Sequence, residues 1–380
     1  MYPNSFGTNL VGLLFRRTSY MSGNNTGQPI VPMDSGPDLP AMFDRYKIRV
    51  EQELSRSVQS PEGTDPYTLI RYHLGWSDQH GVTAQSAISQ GKAMRPTLCL
   101  FACEALEEDP ERALPAAAAL ELIHNFSLIH DDIQDQDVER RHQPTVWSIW
   151  GVPKALVAGD TMQSVGDVCL LNTARHGVLP QTILRISSIL TDSYLEMIQG
   201  QCLDLGFESS TTITSADYLQ MIAFKTGALI RSGMEIGALL ATDDPAAFQA
   251  FSRFGNCVGQ AFQIRDDYLG IWGNSSLMGK SAENDIRRRK KSFPIVYAFE
   301  KAVGQNRDDL LRIYAQEEID DNDVSRVLVI LEEVGAREES QSLTETSAEE
   351  ALEAISLVSL PTWARTEAEG LVDFLARRQY

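Results

Sequence analysis

The chain has few positive charges: 33 lysines and arginines stand against 52 aspartates and glutamates, a formal net charge of −19 over 380 residues. Most of such a surface repels nucleic-acid phosphates and anionic lipid, which argues against a polyanionic partner. An anionic substrate would need local cations and metal ions to override that field. Cysteine is scarce as well. Cys99, Cys103, Cys169, Cys202 and Cys257 lie in apolar stretches with no CxxC pair and no compact spacing, so they read as reduced core thiols of a cytoplasmic protein. No apolar run approaches the roughly 18 residues of a membrane span. The patch from Leu10 to Phe15 is too short for a signal-peptide core, and its arginines follow it instead of preceding it. Period-two alternation is nearly absent, and no internal repeat is visible.

Residues 1–40 are rich in Asn, Ser, Gly and Pro without a sustained hydrophobic period, and read as a disordered tail. Met21 is an alternative start to Met1. From Ala41 onward apolar residues recur at spacings of three and four. The runs Met94 to Glu108, Ala113 to Asp135, Thr182 to Leu205, Tyr218 to Ala241 and Phe248 to Ile271 are each long enough to cross a bundle. Several are apolar nearly all round, as helices buried in a large core are. The expectation is one all-α domain over residues 41–380.

The run from Ala116 to Asp137, AAAALELIHNFSLIHDDIQDQD, turns acidic only at its C-terminal end. The helix macrodipole is negative there, so aspartates at that end are destabilising unless a cation compensates them. Asp131 and Asp135 stand at i and i+4 and share a face. Oxygen-only ligands favour a hard ion, and carboxylates joined to substrate phosphates suit Mg²⁺ better than zinc. A solvated acidic helix end explains this run equally well when it is taken alone. A second run carries Gly255, Gly259, Gln263, Asp266 and Asp267 beside a flank of Phe251, Phe254, Val258 and Phe262. Two acidic segments in one apolar bundle suggest facing carboxylate clusters around shared metal ions.

Basic groups accompany the acids: Lys92 and Arg95 in GKAMRP, Arg140 and Arg141 after the first cluster, Lys225 before Thr226, Lys280, and IRRRKKSFP from Ile286 to Pro294. Lysine and arginine suit diphosphate oxygens through charge-assisted hydrogen bonds. For RRRKK itself, a solvated strip is an equal alternative.

Taken together, these pieces resemble the trans-isoprenyl diphosphate synthases. GKAMRP is similar to the family's GGKRxRP segment, DDIQD (Asp131 to Asp135) to its first aspartate-rich motif, and RRHQPTVW to the run that follows. FKTG, GQCLD, FQIRDDYLG and GKSAENDIRRRKKSFP resemble the later signatures in the family's order and spacing, over roughly Tyr67 to Phe299. The resemblance implies the isoprenoid synthase fold, a large bundle of mostly antiparallel helices around a central cavity, usually as a homodimer. It implies an enzyme that joins isopentenyl diphosphate to an allylic diphosphate with three Mg²⁺ ions. Asp131, Asp135 and Asp266 would be the metal ligands, supported by Asp132 and Asp267. Arg140, Lys225, Gln263 and Lys280 would hold the allylic diphosphate; Lys92, Arg95, His124 and Arg141 would hold isopentenyl diphosphate. Thr226, the Lys225 carbonyl and Gln263 would present oxygen dipoles to the carbocation. Gln201 and Asp204 resemble positions that support the metals, with ordinary helix packing as the alternative.

Three positions depart from the family pattern: Ala93 stands in place of an arginine, Gly270 in place of a third aspartate, and Asn274 where a Gly-Asp is common. The family's chain-length rule places the cavity floor at Phe126 and Ser127, five and four residues before Asp131. One aromatic there without an insertion implies a twenty-carbon product, geranylgeranyl diphosphate. A class I terpene cyclase would share the ionisation chemistry but has no use for Lys92, Arg95, His124 and Arg141. A non-catalytic partner subunit would be free to lose the first aspartate motif, which is intact here.

Overall fold

The computed structural model describes residues 39–59, 65–83, 93–208, 210–273 and 283–378, and these are helical almost throughout. Helices α1 to α10 span Ala41–Ser57, Asp65–His73, Met94–Ala105, Leu114–Gln134, Val146–Trp150, Val152–Leu171, Pro180–Glu208, Ser215–Ile222, Ala228–Ala241 and Pro245–Trp272. Helices α11 to α16 span Asn284–Arg287, Phe293–Lys301, Gln305–Tyr314, Asp321–Glu333, Ala336–Ser356 and Thr362–Arg377. Among the described residues the strands are limited to Glu139–Arg140 and Gln143–Pro144, a short antiparallel ribbon after α4. The all-α expectation holds. Residues 1–38, with most of the expected tail, lie outside the described residues, as do Lys92, Asn274 and Lys280.

The centre is α4. Its opening turns carry only apolar side chains, and Ala116 to Leu120 are fully buried; Pro115 sits in the first turn, where a missing N–H costs nothing. It lies against α6, while α3 packs on α9 and α10 packs on α15. Such all-round burial is what a wholly apolar helix requires.

One expected helix is broken. The run Tyr218 to Ala241 divides into α8 and α9 around a π-helical turn, Ala223–Gly227. Glycines on two neighbouring helices make room for that turn. A Cβ on Gly200 of α7 would lie 2.2 Å from the Lys225 nitrogen, and one on Gly259 of α10 would lie 2.8 Å from the Gly227 Cα. The main chain bulges between them, and single-turn π-bulges are commonly found at functional sites.

Cysteine placement needs one correction. Cys99, Cys103, Cys169 and Cys257 are buried, but Cys202 is exposed. It falls on an outward stripe of α7 with Leu195, Ile198 and Leu205, each at least 37% exposed. Apolar neighbours in sequence therefore did not mean burial, because that stripe faces away from the bundle. None of the described helices is long and apolar enough to cross a membrane.

Candidate active site

The first carboxylate cluster closes α4. Burial pushes the Asp131 carboxyl up to about 6, with Asp135 and Asp204 adding to the rise and Lys225 opposing it. Asp132 is 1% exposed and is likewise raised by burial to about 6, although Arg140 Nε donates to its Oδ1 at 2.7 Å. Its Oδ2 is buried without a partner. Arg140 reaches back because the ribbon reverses the chain at Arg141 and His142, which take φ of 53° and 63°. A two-residue hairpin loop of this kind normally uses Asn or Gly. Two larger side chains in that conformation are held there against their preference.

The π-turn supplies the facing cation. Lys225 Nζ donates to Asp204 Oδ2 of α7 at 2.5 Å, one turn beyond Gln201, whose amide donates to Gln134 Oε1 at 2.9 Å. Next to it, Thr226 Oγ1 donates to Gln263 Oε1 at 2.8 Å, and Gln263 Nε2 donates to Asp267 Oδ1 at 3.1 Å. The Gln263 amide is thus fixed at both ends.

The two aspartates of α10 part company. Asp267 is fully buried and accepts from Tyr218 Oη, from the Phe293 N–H at 3.0 Å and from Gln263, with Lys290 Nζ 3.7 Å away. Asp266 is half-exposed and is bonded by Arg378 from the far end of the chain. Burial opposes the charge on Lys290, but Asp267 and Asp285, with Asp204 and Asp266 behind them, outweigh it and hold the ammonium above its ordinary range. Through Asp204 and Lys290 the two acidic clusters therefore share one electrostatic field. Arg288 ties the same segment to the end of α4 by donating to Asp137 at 2.5 Å. A Cβ on Gly270 would meet Asp285 Oδ2 at 2.4 Å, so another carboxylate stands beside the position where the third aspartate is missing.

Beside α4 lies a cavity of about 180 Å³ whose largely apolar wall, with Phe43, Leu54 and Trp76, also carries Lys47, Glu121, Asn125 and Arg141. Asn125 Nδ2 donates to Glu121 Oε1 at 3.0 Å. Burial raises the Glu121 carboxyl, while Arg95 and Arg141 pull it back. Burial also lowers the Arg95 guanidinium to about 10. Burial first, then Arg95 and Arg141, push the His124 imidazole well below its ordinary range, so it is neutral. Arg95 Nε, His73 Nε2 and Asn125 Oδ1 are buried and unpartnered. Buried polar atoms without partners are costly unless something else satisfies them.

Further along α4, Phe126 is 4% exposed and makes edge-to-face contacts with His130 (ring centroids 5.8 Å apart, 80°) and with Tyr194 of α7 (6.5 Å, 89°). Ser127 is turned back on its own helix, donating to the His124 carbonyl.

A model of the polyprenyl synthetase family matches residues 80–331. This chain belongs to the polyprenyl synthetase family. It is 35% identical over 328 residues to a (2E,6E)-farnesyl diphosphate synthase of Mycobacterium tuberculosis, covering 84% of this chain and 89% of that one. It is also 35% identical over 327 residues to a geranylgeranyl diphosphate synthase of the same organism, covering 86% and 90%. A solved geranylgeranyl pyrophosphate synthase from Corynebacterium glutamicum, complexed with isoprenyl diphosphate and magnesium, superposes with a TM-score of 0.74 at 26% identity, covering 88% of this chain and 98% of that one. The enzyme is a transferase, a trans-prenyl diphosphate synthase with the all-helical fold of its relatives. Two relatives of equal identity carry different product names, so similarity leaves chain length open.

Enzymes of this family use Mg²⁺ to ionise the diphosphate, and the residues present fit that ion. The cluster offers carboxylates with no nearby sulfur ligand, and Asp132 keeps an orphaned oxygen. Among the described residues no three acidic, histidine or cysteine side chains converge on one point. Mg²⁺ usually takes one or two carboxylates and completes its shell with water and substrate phosphate. Tyr218, Asp285, Glu121 and Arg378 were not singled out from sequence, and Lys290 only as one member of the RRRKK run. Glu121 left a signal, a lone acid within AAAALELI; Arg378 left none.

Proposed function

We propose that the enzyme condenses isopentenyl diphosphate head-to-tail with dimethylallyl, geranyl or farnesyl diphosphate and stops at twenty carbons, as geranylgeranyl diphosphate. The observation that carries this product length is the single Phe126 ring, held edge-on in the core five residues before Asp131, with the small Ser127 beside it.

Asp131, Asp135 and Asp266 would hold three Mg²⁺ ions, with Asp132 and Asp267 fixing their surroundings. Bound Mg²⁺ supplies the charge neutralisation that lets the allylic diphosphate depart. Arg140 and Lys225, held by Asp132 and Asp204, and Lys280 bind that diphosphate. Arg95, Arg141 and Lys92, with neutral His124, grip isopentenyl diphosphate, and the orphaned Arg95 Nε and His73 Nε2 are satisfied there. The allylic C–O bond breaks, its electron pair leaves with the diphosphate, and the isopentenyl double bond attacks the cation. A proton is then lost to the released diphosphate, so no protein base is needed. The fixed oxygens of Thr226 and Gln263 face the cation with their dipoles, and the apolar walls of α4 and α10 keep water out.

Outward aliphatic stripes on α6 (Val157, Val168, Leu171) and α7 (Leu184, Leu195, Ile198, Leu205) support a homodimer built on these two helices. The five unpaired thiols support a cytoplasmic setting. The deciding experiment incubates purified protein with Mg²⁺, isopentenyl diphosphate and each allylic diphosphate, and measures product chain length. A fifteen- or twenty-five-carbon end product refutes the proposed length, and a cyclic hydrocarbon refutes the reaction.

A further inference from the structure

The ring pair around Phe126 joins three helices, and its two ends differ. On one side His130 is pinned. Its ring lies over Gly159 of α6, where an added Cβ would come within 2.2 Å of Nε2, and Nε2 is 3.3 Å from the Leu156 carbonyl oxygen. On the other side, Tyr194 is only partly buried against the apolar core cluster that contains Phe126, and it stands on the flank of α7 between the buried Leu190 and Met197 and the exposed Leu195 and Ile198 stripe. A phenylalanine ring turns about two side-chain bonds, so its position in a wall is set by what meets its edges. Here those neighbours are a fixed imidazole and a phenol that is only partly buried.

We infer that Tyr194 sets product length with Phe126, as the positioning residue that holds the Phe126 ring across the end of the growing-chain pocket. This rests on the reading of Phe126 as that end wall. Replacing Tyr194 by Ala removes about seven heavy atoms, roughly the bulk of one five-carbon unit, and core sites collapse only partly around such a loss. The space left behind, together with a Phe126 ring free to swing into it, admits one further isoprene unit.

The test compares Phe126→Ala, Tyr194→Ala, Tyr194→Phe and the Phe126→Ala/Tyr194→Ala double variant with the wild type, reading the product distribution with Mg²⁺, isopentenyl diphosphate and farnesyl diphosphate. Circular dichroism and melting temperature check folding, and Tyr194→Leu replaces Tyr194→Ala if the latter does not fold. Tyr194→Ala is expected to shift the main product one five-carbon unit longer, the double variant further still, and Tyr194→Phe to keep the wild-type length because the ring is retained. If Phe126→Ala lengthens the product while Tyr194→Ala and Tyr194→Leu leave it unchanged, the role of Tyr194 is overturned and the end wall stands. That role is equally overturned if Tyr194→Phe lengthens the product as much as Tyr194→Ala. If no variant lengthens it, the end-wall reading itself falls.

Discussion

Changing Asp131 to Asn should make the metal-free enzyme more stable while destroying its activity. Burial raises this carboxyl from an ordinary 3.8 to about 6, so the folded protein resists its ionisation. The sign follows from proton binding. Between pH 3.8 and 6 the folded state holds the proton more tightly than the unfolded chain does, so stability falls as pH rises through that window and levels off above it. The rise corresponds to on the order of 3 kcal/mol of strain at neutral pH. With unfolding entropy near 2 cal/mol/K per residue, that is a melting temperature roughly 4 °C higher for Asp131→Asn in a unit the size of Gly36–Tyr380. Asp135, whose charge adds to the rise on Asp131, gains from the same substitution. Melting in chelator from pH 4 to pH 8 is the assay: the gap between variant and wild type should be near zero at pH 4 and full by pH 7. Saturating Mg²⁺ with inorganic diphosphate should reverse the order, and turnover should fall roughly a thousandfold. A variant that melts below the wild type at pH 7.5, or a gap that does not change with pH, refutes the reasoning.

Three further outcomes follow from the same geometry. Asp267→Asn leaves the Tyr218 hydroxyl, the Phe293 N–H and Lys290 facing an amide in a fully buried site, and should cost about 3–5 kcal/mol, read as a lower denaturant midpoint with an unchanged slope. Gly200→Ala drives a methyl into the Lys225 main chain and should cost about 1–3 kcal/mol and lower kcat, whereas Gly206→Ala on the same helix, with nothing within 4 Å, should be neutral or stabilising. Arg378→Ala removes the guanidinium bonded to Asp266 and should tighten Mg²⁺ binding in the absence of substrate; unchanged or weaker binding by calorimetry would show that the pair does not compete with metal.

Legibility in the sequence followed the range of the interaction. The α4 helix and its terminal aspartates could be read because period, composition and the macrodipole all act within one segment. The same holds for α10, where Gln263 and Asp267 stand one turn apart and do bond each other. The break at Ala223–Gly227 could not be read, since it is imposed by Gly200 and Gly259 on other helices. Nothing near Asp266 announces Arg378, which lies 112 positions away in sequence. Cys202 was misplaced for a related reason: an apolar helix whose second face awaits a partner looks, in sequence, like a helix buried all round.

Departures from ordinary folding preference are concentrated at one end of α4. Its first two turns, Leu114 to Leu120, are buried and carry no polar side chain. Around its C-terminal half lie Asp131 and Asp132, both raised to about 6 by burial, the two-residue loop at Arg141 and His142, and the unpartnered atoms of Arg95, His73 and Asn125. The π-turn that carries Lys225 faces the same end. Each of these costs stability on its own, and a chain selected for stability alone would have replaced them singly. Their convergence around one end of α4 is explained if a highly charged ligand with its cations relieves several of them together. A diphosphate with Mg²⁺ meets that requirement: its oxygens satisfy the orphaned donors, and its metal ions remove the repulsion among the aspartates.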